Sequence, residues 1–95
     1  MRFEWDEINR RNLKKHRLSF ETAQSVFEDP NLLSLLDRVV DGEERWQSIG
    51  LINGVLVVLV AHTYRDQGSE ELVRIISARK ATPVERRRYE DASKE

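Results

Sequence analysis

The stretch Leu72–Tyr89, LVRIISARKATPVERRRY, decides how the rest of the chain reads. Its first part is a strand. Leu72, Val73, Ile75 and Ile76 are apolar, and all but Leu72 are β-branched, which suits a pleated surface. Its second part is a helix with a clear start. Thr82-Pro83-Val84-Glu85 is a capping box: Thr82 Oγ1 accepts the Glu85 N–H, and the Glu85 carboxylate reaches back to the Thr82 N–H. Lys and Arg dominate the segment from Arg74 to Arg88, with Glu85 the one acid among them. A strand exit and helix start with this charge make a natural phosphate site. Arg74, Arg79 and Lys80 lie on the strand and its exit, a rigid platform. Arg86, Arg87 and Arg88 point in different directions around a helix and read as a solvated face.

Working outward, 95 residues make a single domain, 1–95, with a small core for which a partner or dimer is plausible. The chain is 35 % charged with a net charge of −1, so it is no strongly basic coat for nucleic acid. The balance conceals asymmetry. Arg10, Arg11, Lys14, Lys15 and Arg17 cluster without an acid, whereas Glu21 to Glu44 is acidic with Arg38 as its one cation. The absence of cysteine removes disulfides, thiolate nucleophiles and Cys-ligated zinc. The start Met1-Arg2-Phe3-Glu4 has no apolar signal region, and the apolar run Val55–Ala61 is too short to span a bilayer. The expectation is a cytoplasmic protein that does not engage membranes.

In order, Phe3-Glu4-Trp5 is a short apolar start and Asp6 caps a first helix of about ten residues. Lys14, Lys15 and His16 suit the negative end of that helix. Ser19 caps a second helix, with Phe20, Ala23, Val26 and Phe27 facing the core, and Asp29-Pro30 stops it. Strands follow at Leu32–Leu36, Glu44–Ile52, Val55–Tyr64 and from Leu72. Asn53-Gly54 is a type I′ hairpin signal, since both central positions need positive φ. If it is a two-residue loop, Ile52 pairs with Val55. Arg45 then lies opposite His62 and Glu44 opposite Thr63, so that Arg45, Gln47 and His62 share one face. A bulge would change this register. The expected fold is α+β: two N-terminal helices, a four-stranded antiparallel sheet and a C-terminal helix.

The residues resemble a known family. Phe3-x-Trp5-Asp6, Asn12-x-x-Lys15-His16, Ser19-Phe20-Glu21-x-Ala23 and Phe27-x-Asp29-Pro30 are similar to the BrnT toxins. So are Gly42-Glu43-Glu44-Arg45 followed by Gly50, and Arg74–Thr82 with Glu85–Tyr89. The departures are Arg17, where glycine is common, and Lys80, where arginine is common. The resemblance implies a RelE-like fold and a type II toxin, a ribonuclease that stops translation. It also implies neutralisation by a BrnA-type antitoxin with a ribbon-helix-helix domain, through which alone operator DNA would be engaged.

RNA cleavage without a metal or cofactor needs a base for the 2′-OH proton, cations for the phosphorane and an acid for the leaving 5′ oxygen. His16 and His62 are the side chains of a type that titrates near neutrality, and Glu44 is a further candidate base. The candidate catalytic set is His16, Glu44, Arg65 and Arg79. Lys15, Arg45, Arg74 and Lys80 are candidate substrate contacts, arginine being able to bind phosphate bidentately. No short-spaced ligand cluster suggests a metal. His62 also reads as a packed strand residue, Glu44 and Arg45 as surface ion pairs, and Trp46 as core. Tyr64 and Tyr89 are candidates for stacking on a base. The competing reading is a non-catalytic basic module that binds a partner protein or nucleic acid.

Overall fold

The computed structural model describes residues 1–5 and 18–94. Five strands, β1 (Arg2–Trp5), β2 (Leu33–Val40), β3 (Glu43–Ile52), β4 (Leu56–Gln67) and β5 (Glu70–Lys80), form one sheet. Their order is β1-β5-β4-β3-β2. The described helices are α1 (Phe20–Ser25), continued by a 3-10 turn Val26–Glu28, and α2 (Pro83–Ser93). This corrects the expected architecture of two N-terminal helices and four antiparallel strands. One described helix is mid-chain and one follows β5, and the sheet is mixed. Phe3-Glu4-Trp5 is itself a strand, parallel to β5, with Phe3 opposite Val73 and Trp5 opposite Ile75. The helix expected from Asp6 falls outside the described residues.

The local signals explain much of the rest. Ser19 caps α1 by accepting the Thr22 N–H at 3.0 Å. Thr82 and Glu85 form the capping box of α2, with bonds of 3.2 and 2.8 Å. Asn53 and Gly54 both have positive φ, and the Val55 N–H bonds to the Ile52 carbonyl, as a type I′ turn requires. The register nevertheless differs by one. Ile52 pairs with Leu56, and Val55 stands out of the ladder, 84 % exposed. Trp46, not Arg45, therefore faces His62. A one-residue slip moves every side chain to the other face. His62 thus leaves Arg45 and joins Trp46, Ser48 and Tyr64. A second irregularity in β5, between Ile75 and Ser77, leaves Ile76 without a β4 partner.

The two faces of the sheet carry separate cores. On the α1 face, Ala23 and Val26 pack on Val58, Val60, Val73 and Ile75, with Phe3, Trp5, Phe20 and Phe27 at the margin. Gly50 lets the 3-10 turn rest directly on β3, because a Cβ there would lie 2.8 Å from Val26 Cγ1 and 2.9 Å from the Val26 carbonyl oxygen. On the other face α2 covers only one end, where Tyr89 and Ala81 pack on Ile49, Val57 and Leu59.

Asp29 fastens the two layers. Its carboxylate accepts the Tyr89 O–H at 2.5 Å, the Leu51 N–H at 2.7 Å and the Asn31 N–H at 2.8 Å. Burial pulls its pKa up, but these three bonds outweigh it and the net shift is downward. Burial and the adjacent Asp29 push the Tyr89 phenol up to about 12.

Candidate active site

Short α2 leaves the remainder of its sheet face without helical cover among the described residues. The cross-strand pairings place a row of polar side chains there. Arg38 lies opposite Arg45, Thr63 opposite Arg74, and Arg74 opposite Glu4. Adjacent strands are about 5 Å apart, so Arg45 and Arg74, two strands apart, are separated by about 10 Å across the sheet. Arg79 is opposite Leu59, four residues from Thr63 on β4 and hence on the same face. It sits roughly 15 Å from Arg74 along the strand, next to α2. Between these positions Arg38, Arg45, Ala61 and Ile76 line a depression of about 250 Å³.

Each arginine is held by an acid. Arg79 donates to Glu85 through both terminal nitrogens, at 2.7 and 2.9 Å. The bidentate bond raises the Arg79 pKa and, with the Thr82 N–H, holds the Glu85 carboxyl down at about 2. The capping-box glutamate therefore both closes the helix start and orients Arg79. The capping box also occupies the Thr82 N–H with the Glu85 carboxylate and the Glu85 N–H with Thr82 Oγ1. Arg74 Nε donates to Glu4 at 3.0 Å. Glu43 sits between two cations, with Arg65 Nη2 at 3.0 Å and Arg45 Nε at 3.8 Å. Exposed pairs such as Arg65–Glu43 contribute little to stability but fix where the charge stands.

A family model described as ribonuclease toxin, BrnT, of type II toxin-antitoxin system matches residues 5–85. The chain belongs to this BrnT family. A solved structure of the Brucella abortus ribonuclease toxin BrnT is similar to it at 28 % identity, with a TM-score of 0.49, over 86 % of this chain and 97 % of that one. No match was found among curated proteins.

Among the candidate residues of this BrnT chain, the sheet brings Arg45, Arg74 and Arg79 to one face and reaches Arg65 through Glu43. It does not bring Lys80 there: Lys80 pairs with Val58, one residue out of phase with Arg79. Glu44 is exposed and lines a separate cleft with Trp46 and Tyr64. Lys15 and His16 lie outside the described residues. His62 is fully buried, edge-on to Phe27 and Tyr64 at centroid distances of 4.9 and 4.7 Å. Its Nε2 is 2.6 Å from Ser48 Oγ, which in turn is 2.8 Å from Ser34 Oγ. Burial pushes its pKa down to about 4. It is a neutral core imidazole. Sequence reasoning missed Glu4, Glu43 and Glu85 as the acids that set the arginines. The capping-box pattern signalled Glu85, but its role toward Arg79 follows only from the strand-to-helix turn. No helix among the described residues is long and apolar enough to cross a membrane.

Proposed function

We propose that this chain is an endoribonuclease that cleaves RNA without a metal ion to inhibit translation, and that a BrnA-type ribbon-helix-helix antitoxin neutralises it. The supporting observation is the row of arginines on the sheet face that α2 leaves uncovered, each oriented by a carboxylate. Preorganised cations of this kind stabilise charge as it develops on a phosphorane. Arg79 grips the scissile phosphate, Arg74 holds a phosphate further along the strand, and Arg45 and Arg65 extend the track. With His62 buried, His16 is the remaining imidazole, and it takes the 2′-OH proton and returns one to the leaving 5′ oxygen. The attacking 2′ oxygen closes a 2′,3′-cyclic phosphate as the P–O5′ bond breaks. The antitoxin covers the same arginine face and alone carries the assembly to operator DNA.

The test is incubation of purified protein with RNA in the presence of EDTA. Fragments ending in 2′,3′-cyclic phosphate are expected, and they should be lost in Arg79→Ala and His16→Ala but retained in Arg88→Ala. RNA binding without fragments would leave a non-catalytic basic module. Fragments that EDTA abolishes would overturn metal independence. Arg79→Ala should also relieve growth arrest in cells, and a folded, fully toxic Arg79→Ala protein would remove the arginine face from the mechanism.

A further inference from the structure

The cleft that holds Glu44 opens at the end of the sheet by the Asp41–Gly42 turn, where alternation turns Glu44, Trp46 and Tyr64 to the α1 face and Glu43 and Arg65 to the arginine face. It is about 520 Å³, within the range of ligand clefts, and is lined by Asp41, Glu43, Glu44, Trp46, Tyr64 and Arg65. Trp46 and Tyr64 meet edge to face at 5.8 Å, so the cleft has an aromatic wall. Both are half-buried and retain accessible surface. Its carboxylates repel phosphate, whereas the arginines next door attract it. Charge thus sorts a nucleotide: the backbone stays with Arg45 and Arg65 on the arginine face and the base turns around the sheet end into the cleft. The two regions are joined through Glu43, which contacts both Arg65 at the mouth and Arg45 on the row.

We propose that this cleft is a nucleobase subsite that selects guanine, with Trp46 and Tyr64 as the stacking surface and Glu44 as the reading group. The inference rests on the ribonuclease reading and gives that site its base preference. Aromatic side chains accept any base by stacking, so they supply affinity rather than choice. Choice comes from the carboxylate. Glu43 is engaged by Arg65 and Arg45, whereas no described cation pairs with Glu44. A carboxylate offers two parallel acceptors and no donor. Guanine alone among the four bases presents two adjacent donors, N1–H and the N2 amino group, on its Watson–Crick edge. Glu44 is therefore a specificity residue rather than a proton carrier, which fits its separation from Arg74 and Arg79.

The experiment compares short uridine-rich RNAs that carry one guanosine or one inosine, which lacks the N2 amino group. Both binding and cleavage are measured. Wild type should favour guanosine by about tenfold, the discrimination of one good bidentate contact. Glu44→Gln should remove that preference, lowering kcat/KM and affinity for the guanosine RNA to those for the inosine RNA, with a thermal melt to verify folding. Trp46→Leu should raise KM for both RNAs without changing their ratio, with a thermal melt to verify folding. If wild type binds and cleaves guanosine and inosine RNAs alike, or if Glu44→Gln keeps the full preference, the subsite is wrong. If wild type binds guanosine RNA preferentially but cleaves nothing, the subsite stands and the ribonuclease reading falls.

Discussion

Replacing Glu85 with Gln isolates the charge of the pair that orients Arg79. The amide still accepts the Thr82 N–H, so the capping box persists. Lost are the two charge-assisted bonds of 2.7 and 2.9 Å to Arg79. The Glu85 pKa falls from 4.5 to about 2 in the folded chain, with the Arg79 bond as its largest cause. At 1.36 kcal/mol per unit that corresponds to roughly 3 kcal/mol. The Arg79 side chain is 35 % exposed, so solvent screening lowers the figure to about 2 kcal/mol. For a domain of this size the Glu85→Gln melting temperature should drop by about 10 °C near neutral pH. The pH dependence provides the decisive signature. Because the folded pKa lies below the unfolded one, the stabilisation is fully present above about pH 4.5 and is lost as pH falls toward about 2. Circular-dichroism melts of both proteins across this window should show two curves that converge in acid. A gap that stays constant from neutral pH down to about pH 2 would refute the reasoning, since a packing defect has no such titration.

The remaining expectations concern the supports of the site and its partner. Gly50→Ala should cost about 2–3 kcal/mol in denaturant titrations, because the added Cβ meets the Val26 carbonyl at 2.9 Å and backbone must move. Tyr89→Phe removes a hydrogen bond to a carboxylate and should cost about 2 kcal/mol, with Asp29 retaining its two backbone donors; an unchanged melting temperature would show that α2 is held by packing alone. Antitoxin association, followed by stopped flow, should slow with salt and in an Arg74→Ala, Arg79→Ala double mutant; on-rates insensitive to both would mean the antitoxin sits elsewhere.

The parts of the fold legible in the sequence are those with local causes. Thr82-Pro83-Val84-Glu85 places the start of α2, Ser19 the start of α1, and Asn53-Gly54 the turn of the β3–β4 hairpin. What escaped depends on distant partners. β1 is four residues long and acquires strand geometry only by pairing with β5, so Phe3-Glu4-Trp5 carries no strand signal of its own. The register escaped because the turn chemistry was right while Val55 stood outside the ladder, and nothing in Ile52-Asn53-Gly54-Val55 announces that extra residue. That single slip separates His62 from Arg45 and turns a candidate proton carrier into a core residue. At the site, Arg45, Arg74 and Arg79 were legible as cations on a rigid sheet. Glu4 was not legible as the partner of Arg74, because no sequence pattern links positions 70 apart.

The parallel pairing of β1 with β5 also bears on the order of events during synthesis. Glu4 and Arg74 meet across a separation of 70 residues. Closing so large a loop is entropically costly before other contacts have formed, so β1 docks late, onto a β3-β4-β5 meander whose neighbours in sequence pair first. On the ribosome β1 emerges early but has no partner until β5 is made. The arginine face spans β2, β3 and β5 and borders the start of α2, so it too is incomplete until then. A chain of this topology cannot present the complete arginine face until β5 and the start of α2 have been made.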